Sequence, residues 1–447
     1  MKMKHLFGTD GIRGRAGEGN MSPERLLAIG KAAAMVAAET SASPRVVIGK
    51  DTRLSGYMVE SALVAGLVAK GANPILLGPL PTPAVSMLTN SLRADLGVMI
   101  TASHNPYEDN GLKFFHSNGC KIPDETEAKI EQLVSVTSSG GQSTSRLGQA
   151  SRLEASHGRY TEAVKQTVPK GLRFDGLRVV IDCANGAGYK VAPEVLWELG
   201  ADVVTIGASP DGENINRSCG ATDTRQLRSA VISEGADIGL ALDGDADRII
   251  ICDERGQEID GDQVLSVIAK AWKSQDRLSG SAVAATVMSN LGLERHLNKL
   301  GIKLFRTPVG DRHVIKCMRA ENLNLGGEQS GHIVLSDYAC TGDGLVAGLQ
   351  VLSELVQSGL KASELCNTFE PLPQMLRNVQ FETGSPLDCK AVKAAIVEAE
   401  ETLANSGRLL IRKSGTEPLI RIMVEGEDRR QIAEITDTLA DLVARAA

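Results

Sequence analysis

The segment Asp243-Gly244-Asp245-Ala246-Asp247-Arg248 sets three carboxylates at alternate positions with only small residues between them. Side chains so spaced can converge on one hard cation, because such ions take oxygen ligands. Arg248, directly after the acids, suits a metal site that also meets an anionic substrate. An EF-hand loop is the rival reading, and the spacing even puts Glu254 at its twelfth position. Two features reject it. The sixth position needs Gly for a sharp turn but holds Arg248, and the flanks Ile238–Leu242 and Ile249–Cys252 read as strands where helices are required. A solvated acidic turn is the plain alternative.

Three other segments carry chemistry. Thr101-Ala102-Ser103-His104-Asn105-Pro106 follows the apolar run Leu96–Ile100, so a strand delivers Ser103 to an exposed loop that Asn-Pro then turns. Ser103 is a candidate nucleophile, although a loop serine more often caps or meets solvent. His104 is not expected to pair with it, since neighbours in extended backbone point to opposite faces, and the Gly-x-Ser-x-Gly elbow of hydrolases is missing. Gly326-Gly327-Glu328-Gln329-Ser330-Gly331-His332 lies between the short runs Leu323–Leu325 and Ile333–Leu335. Its glycines allow close backbone approach and its Glu and Ser match sugar hydroxyls, while a polar hairpin turn is the bland alternative. Arg412-Lys413-Ser414-Gly415-Thr416-Glu417-Pro418 combines cations, hydroxyls and a glycine between two strands, the ingredients of an anion nest. It is not a Walker loop, and pairing with acidic neighbours is its competing role. Near the start, Arg13 stands among the glycines of Phe7-Gly8-Thr9-Asp10-Gly11-Ile12-Arg13-Gly14, open to an anion.

The elements that must position these residues repeat. Arg45–Gly49, a turn through Ser55-Gly56, a helical stretch Met58–Lys70, Gly71 and Pro74–Leu77 form the first copy. Arg178–Ile181, the turn at Asn185–Gly188, a helix around Pro193–Leu199, Gly200 and Val203–Ile206 form the second. Val283–Val287, the turn at Asn290–Gly292, a helix to Leu300, Gly301 and Ile302–Phe305 form the third. Each reads as buried strand, helix closed by Gly, and second strand, the unit from which parallel or mixed sheets with crossover helices are built. The predicted fold class is therefore α/β, with three similar mixed-sheet domains. The tail differs: a polar helix over about 386–404, a strand Arg408–Arg412, an alternating strand Leu419–Val424, and a helix over about 428–446 with Ile432, Ile435, Leu439 and Leu442 on one face. It reads as a smaller C-terminal α+β domain. Expected domain limits are 1–150, 151–255, 256–370 and 371–447, with Ser135–Ser151 a flexible surface connection.

At 447 residues the chain is long enough for several domains. A net charge of −7 without a long basic run argues against nucleic acid or an anionic membrane as partner. No run of about 18 apolar residues occurs and Met1-Lys2-Met3-Lys4-His5 has no apolar signal core, so no membrane span and a cytoplasmic location are expected. The eight cysteines stand singly without metal or redox spacing, and reduced thiols are expected.

Together the four segments, in this order and over essentially the whole chain, resemble the α-D-phosphohexomutase superfamily. The resemblance implies four domains around a central cleft, one motif from each. By matching position, Ser103 carries a phosphoryl group, and Asp243, Asp245 and Asp247 bind one Mg²⁺ together with a phosphoserine oxygen. Glu328 and Ser330 grip sugar hydroxyls; Arg412, Ser414, Gly415, Thr416 and Arg421 hold the phosphate not being transferred. Arg13, Lys113 and Arg248 line the reacting group, with His104 and His332 assisting. Gln329, where the mannose- and glucose-using relatives usually have Met, marks the branch that interconverts glucosamine 6- and 1-phosphates, feeding UDP-N-acetylglucosamine and peptidoglycan precursors. The family further implies a sugar 1,6-bisphosphate (glucosamine or glucose) as intermediate or activator. It leaves open a homodimer, and either a kinase or self-phosphorylation to prime Ser103. The alternatives are a sibling mutase for glucose or mannose phosphates, a silent sugar-phosphate-binding protein, and a hydrolytic phosphatase.

Overall fold

The computed structural model describes residues 6–137, 146–381, 385–404, 406–413 and 419–446. The chain divides into two compact units, one running to Thr286 and including Phe305–Asn367, the other made of Val287–Leu304 and the chain from Thr368.

The first unit holds three sheets. In the first, the strand order is Ile12–Arg15, Asp109–His116, Leu96–Ile100, Arg45–Lys50, Asn73–Pro79, Ser151–Arg152. Leu96–Ile100 pairs parallel with Arg45–Lys50 and antiparallel with Asp109–His116, so the sheet is mixed. Leu96–Ile100 is buried throughout, as expected where helices cover both faces and leave no solvated side for alternation. The second sheet runs Glu258–Ile259, Ile249–Asp253, Ile238–Leu242, Arg178–Asp182, Asp202–Ile206. The third contains Ala282–Thr286, Leu325–Gly327 and Ile333–Leu335, the last two forming a hairpin.

The three sequence repeats are present. Their helices are Gly56–Ala69, Val191–Glu198 and Leu291–Lys299, and in the first two copies the flanking strands pair in parallel. Gly71, Gly200 and Gly301 have φ of +84°, +100° and +67°, the left-handed turn that closes a helix and that a Cβ would strain. The connection expected over Ser135–Ser151 is corrected in part. A helix extends to Thr137, and the Gly148 and Leu153 amides donate to the Val68 and Leu76 carbonyls, which pins Ser151–Arg152 to the sheet edge. Residues 138–145 lie outside the described residues.

The second unit carries a three-stranded antiparallel sheet, Gln374–Gln380, Leu419–Gly426, Gly407–Lys413, packed by the helices Lys390–Leu403 and Arg429–Arg445. Ile432 and Leu439 are buried in its core, with Ile435 and Leu442 beside them. The strand Gln374–Gln380 was not signalled by the sequence, because only Val379 within it is buried. Glu425, fully buried, accepts from the Leu291 amide and Arg408 Nε, which ties the helix Leu291–Lys299 to this sheet.

The expectation of eight unpaired thiols is corrected at one pair. Cys120 and Cys340 form a disulfide with Cα atoms 5.2 Å apart, a contact that spacing could not reveal across 220 residues. Burial pushes the thiols of Cys219, Cys252 and Cys366 up to about 12, so they behave as small apolar groups. Among the described residues no helix is long and apolar enough to cross a membrane.

Candidate active site

In the first unit, loops at strand ends bring most of the sequence-predicted residues together. Asp243, Asp245 and Asp247 follow the buried strand Ile238–Leu242, and one carboxylate oxygen from each lies within 4.8 Å of the others. All three side chains are buried. Burial, then repulsion from Asp245 and Asp247, drives Asp243 well above the usual carboxylate range. Burial also opposes ionisation of Asp247, but Lys113 and His332 hold it well below that range.

Ser103 meets this cluster directly. Its Oγ donates to Asp243 Oδ2 at 2.7 Å. Two expectations about it are corrected. Ser103 is not exposed: it retains 1% of its accessible surface. Nor does His104 point away, because Ser103 has φ +51° and the extended-backbone rule does not apply to a left-handed residue; His104 Nδ1 lies 3.3 Å from Ser103 Oγ. Burial, then Arg248 and Arg13, push the His104 imidazole down to about 4, so it is neutral near pH 7.

The cations surround the pair. Lys113, on Asp109–His116, donates at 2.8 Å to both Asp245 Oδ2 and Asp247 Oδ2. Burial disfavours its charge, yet Asp10, Asp245 and Asp247 raise it well above the ordinary lysine value. Arg13, on the neighbouring strand, donates to the Ala102 carbonyl, to Asn105 Oδ1 and to Asp10 Oδ2. The Arg248 amide donates to Asp243 Oδ1, and its Nε stands 3.9 Å from Asp247 Oδ1. His332 sits between Asp247 (Nδ1 to Oδ1, 3.5 Å) and Asp311 (Nε2 to Oδ2, 3.7 Å). Burial lowers its imidazole, but these two carboxylates raise it further than burial lowers it.

The Glu328–Gly331 hairpin turn docks on the strand that leaves the acidic loop, since the Ile249 amide donates to the Gly331 carbonyl. Glu328 accepts from the Gly310 amide and from Ser330 Oγ; Ser330 itself is exposed. Gln329 turns aside, its Nε2 donating to Asp260 Oδ2 at the start of the helix Gly261–Ser274. Arg412 and Arg421 belong to the second unit. They face each other in register on adjacent strands of the second unit, where burial and then Arg421 lower the Arg412 pKa. Ser414, Gly415 and Thr416 lie outside the described residues.

Sequence reasoning missed several residues at the site. Asp51 and Arg53 bind one another behind the Ser103 loop, and Thr82 Oγ1 donates to Asp245 Oδ2. Lys121 bridges Asp10 and Asp311, and Asn216 reaches the Ser103 carbonyl. A signal existed for one stretch: Asp51-Thr52-Arg53 puts charge directly at the end of a buried strand, where a chain has no packing reason to place it.

Four domain models of one family match in order. They are the phosphoglucomutase/phosphomannomutase alpha/beta/alpha domains I (residues 4–139), II (158–256) and III (260–372), and its C-terminal domain (376–442). The chain belongs to the phosphoglucomutase/phosphomannomutase family. Within that family it is 56% identical over 446 residues to the phosphoglucosamine mutase of Methylorubrum populi, covering 100% of each chain. A solved family protein from Burkholderia thailandensis shares the fold with TM-score 0.84 at 24% identity, covering 99% of this chain and 97% of that one. The N-acetylphosphoglucosamine mutase of Aspergillus fumigatus, solved with GlcNAc-6P and magnesium, does so with TM-score 0.65 at 17% identity, covering 99% and 96%.

The family implies a divalent metal, and the residues present fit one. Among the described residues Asp245 Oδ1 is buried and accepts no hydrogen bond, Asp247 Oδ1 has only His332 and Arg248 at 3.5 and 3.9 Å, and Asp243 adds a third hard oxygen. Buried carboxylate oxygens without a donor are costly unless a cation meets them.

Proposed function

We propose that the chain interconverts D-glucosamine 6-phosphate and α-D-glucosamine 1-phosphate through a phosphoserine at Ser103. The observation that carries this reading is the 2.7 Å contact of Ser103 Oγ with Asp243 inside a buried triad of carboxylates. Buried acids around a hydroxyl make no sense for a solvated loop, but they suit a phosphoryl group that arrives with its own cation. Asp243, Asp245 and Asp247 would hold Mg²⁺ with a phosphoserine oxygen, and the bound ion would supply charge neutralisation at the phosphoryl oxygens.

Ser103 passes its phosphoryl group to O1 of glucosamine 6-phosphate, giving an enzyme-bound 1,6-bisphosphate and a free Ser103 hydroxyl. After the sugar reorients, the 6-phosphoryl group returns to Ser103 Oγ and glucosamine 1-phosphate leaves. Arg13, Lys113 and Arg248 would orient the equatorial oxygens, which carry the charge in the transition state. His104, at 3.3 Å from Ser103 Oγ, and His332 are the proposed proton carriers. Glu328 and Ser330 would grip sugar hydroxyls. Arg412, Arg421, Ser414, Gly415 and Thr416 would anchor the idle phosphate; two arginines in register, one with its charge disfavoured, support an anion between them. Gln329 marks the branch and need not itself touch C2 of the sugar, and its Nε2 is engaged by Asp260. The proposed domains (1–150, 151–255, 256–370 and 371–447) give one motif each. A kinase or self-phosphorylation would supply the first phosphate, with glucosamine or glucose 1,6-bisphosphate as activator, and the cytoplasm is the proposed location.

A coupled assay of the purified protein on glucosamine, glucose and mannose phosphates, with phosphopeptide mapping, tests the reading. The expected result is label on Ser103 and a preference for glucosamine phosphates of roughly ten- to a hundredfold, the range set by one unpaired buried polar group. Equal or better kcat/KM on glucose 1-phosphate overturns the substrate assignment, and label elsewhere overturns the carrier.

A further inference from the structure

Arg53 has no accessible surface at all, yet it carries a guanidinium. Buried arginines are rare without a dedicated set of acceptors, and here the acceptors are unusual. Nη2 donates to the carbonyls of Ser103 (2.9 Å) and Asn105 (2.8 Å), Nη1 to the carbonyl of Pro106, and Nε to Asp51 Oδ2 at 2.9 Å. Three successive bonds thus go to the backbone of one loop, from behind it. Asn216, on the segment that joins the strand Asp202–Ile206 toward Ile238–Leu242 of the second sheet, repeats the pattern from another side: its Nδ2 donates to the same Ser103 and Asn105 carbonyls, at 2.9 and 3.2 Å. Asp51 completes the network by accepting from Thr101 Oγ1, which in turn accepts from the Ser103 amide.

The conformation being held needs this support. Ser103 sits at φ +51°, where a side chain is strained and a free loop would relax toward extended backbone. Relaxation would swing Oγ away from Asp243, since side-chain direction follows φ. We infer that Arg53 and Asn216 are positioning residues for the phosphoryl-carrying Ser103, fixing its left-handed backbone so that Oγ stays aimed at the carboxylate cluster. The inference rests on the reading of Ser103 given above. Neither side chain donates to Ser103 Oγ, so both act through the backbone and not on the reacting atoms. Arginine is needed because its planar fork reaches several carbonyls at once, where a lysine offers one compact charge.

The test compares Arg53→Lys and Asn216→Ala with wild type in the Mg²⁺-loaded full-length enzyme. Protein is first phosphorylated and quantified by phosphoserine content, and transfer to glucosamine 6-phosphate is followed in a single turnover. Displacing a reacting atom by about 1 Å can cost a hundredfold, so Arg53→Lys is expected to slow transfer per phosphorylated enzyme about ten- to a hundredfold and Asn216→Ala about three- to tenfold. KM should stay within about threefold of wild type, because neither residue touches substrate. A merely structural role predicts a lower melting temperature with an unchanged rate per phosphorylated molecule, and that result overturns the inference. If Arg53→Lys does not fold, the partly buried Asn216 decides alone: a rate within twofold of wild type overturns it. An inactive wild type without phosphoserine would refute the functional reading and this inference together, whereas an active wild type with unchanged variants refutes only this one.

Discussion

Two loops meet at the site, and they are held in different ways. The Ser103 loop and the Asp243–Asp247 loop each follow a fully buried strand, Leu96–Ile100 or Ile238–Leu242, and each passes through a left-handed non-glycine residue, Ser103 or Ala246. The Ser103 loop is gripped by its carbonyls, through Arg53 and Asn216. The acidic loop is gripped at its carbonyls by the amides of Ala187, Thr82 and Gly344, and in addition at its carboxylates by Lys113, Thr82 and Ser103. Carbonyl acceptors do not titrate, so the bonds that Arg53 and Asn216 make to the Ser103 loop do not themselves change with protonation. The acidic loop's carboxylates set mutual repulsion against nearby cations, which makes that loop the one expected to respond to metal and to protons.

The largest expected effect separates the loops most cleanly. Ser103→Ala removes the proposed carrier oxygen and should abolish mutase turnover, while the backbone clamp stays intact. The loss of the bond to Asp243 should lower Tm by only roughly 2–4 °C, the shift that about 1 kcal/mol produces in a sizeable domain. Residual mutase activity at the wild-type rate would show that another oxygen carries the group.

On the acidic loop, Asp245→Ala should cost more than about a hundredfold in kcat, and chelation of the wild type should remove activity that added Mg²⁺ restores. Equal turnover of the variant in metal-free buffer would end the metal assignment and leave the carboxylates as hydrogen-bond acceptors only.

The arginine pair of the second unit extends the comparison to a site with cations but no acids among its proposed anion ligands. Arg412→Ala should reduce kcat/KM about ten- to a hundredfold, equivalent to a charge-assisted contact of about 1.5–3 kcal/mol. If Arg412 merely decorates the sheet, kinetics stay unaltered and stability shifts by less than about 0.5 kcal/mol.

The smallest effect concerns a buried acid away from the cations. Asp343 caps the helix Gly344–Ser358 by accepting from the Val346 amide, and Tyr160 Oη donates to it at 2.9 Å. Burial pushes its carboxyl up to about 6, against those hydrogen bonds and with a lesser contribution from Asp247. A carboxyl raised on folding disfavours the native state once ionised, so its contribution is most favourable below about pH 4 and is lost as pH rises to about 6. The loss is at most about 3 kcal/mol. Asparagine can cap the same helix without a charge. The Tm of Asp343→Asn minus that of wild type should therefore rise between pH 4.5 and 7, by a few degrees, and then level off. A difference that does not change with pH contradicts the assignment.

Much of this architecture was legible in residue order, for a physical reason. Strand and helix periods are local, so Arg45–Lys50 and its two counterparts show as apolar runs, and a glycine closes each helix because only it turns left-handed cheaply. Three acids at alternate positions on one loop are likewise a local fact. Where the reading failed, the cause was backbone or contact that no short window holds. The expectation of an exposed Ser103 turned away from His104 fails because the left-handed turn at Ser103 leaves no unambiguous trace in Ala-Ser-His. The strand Ser151–Arg152 gains its hydrogen bonds from a partner some 75 residues earlier, which polar composition hides.

By itself the sequence determined the α/β class, the order of the four motifs and the chemical types at the site: a hydroxyl, three carboxylates, and cations near them. Tertiary structure alone decided which partner each would have. Lys113 is 132 residues from Asp245, Asn216 is 113 from Ser103, and Cys120 is 220 from Cys340. Residue type limits what a side chain can bond, but a hydrogen bond requires about 3 Å, and only the packing of the sheets brings such distant residues that close.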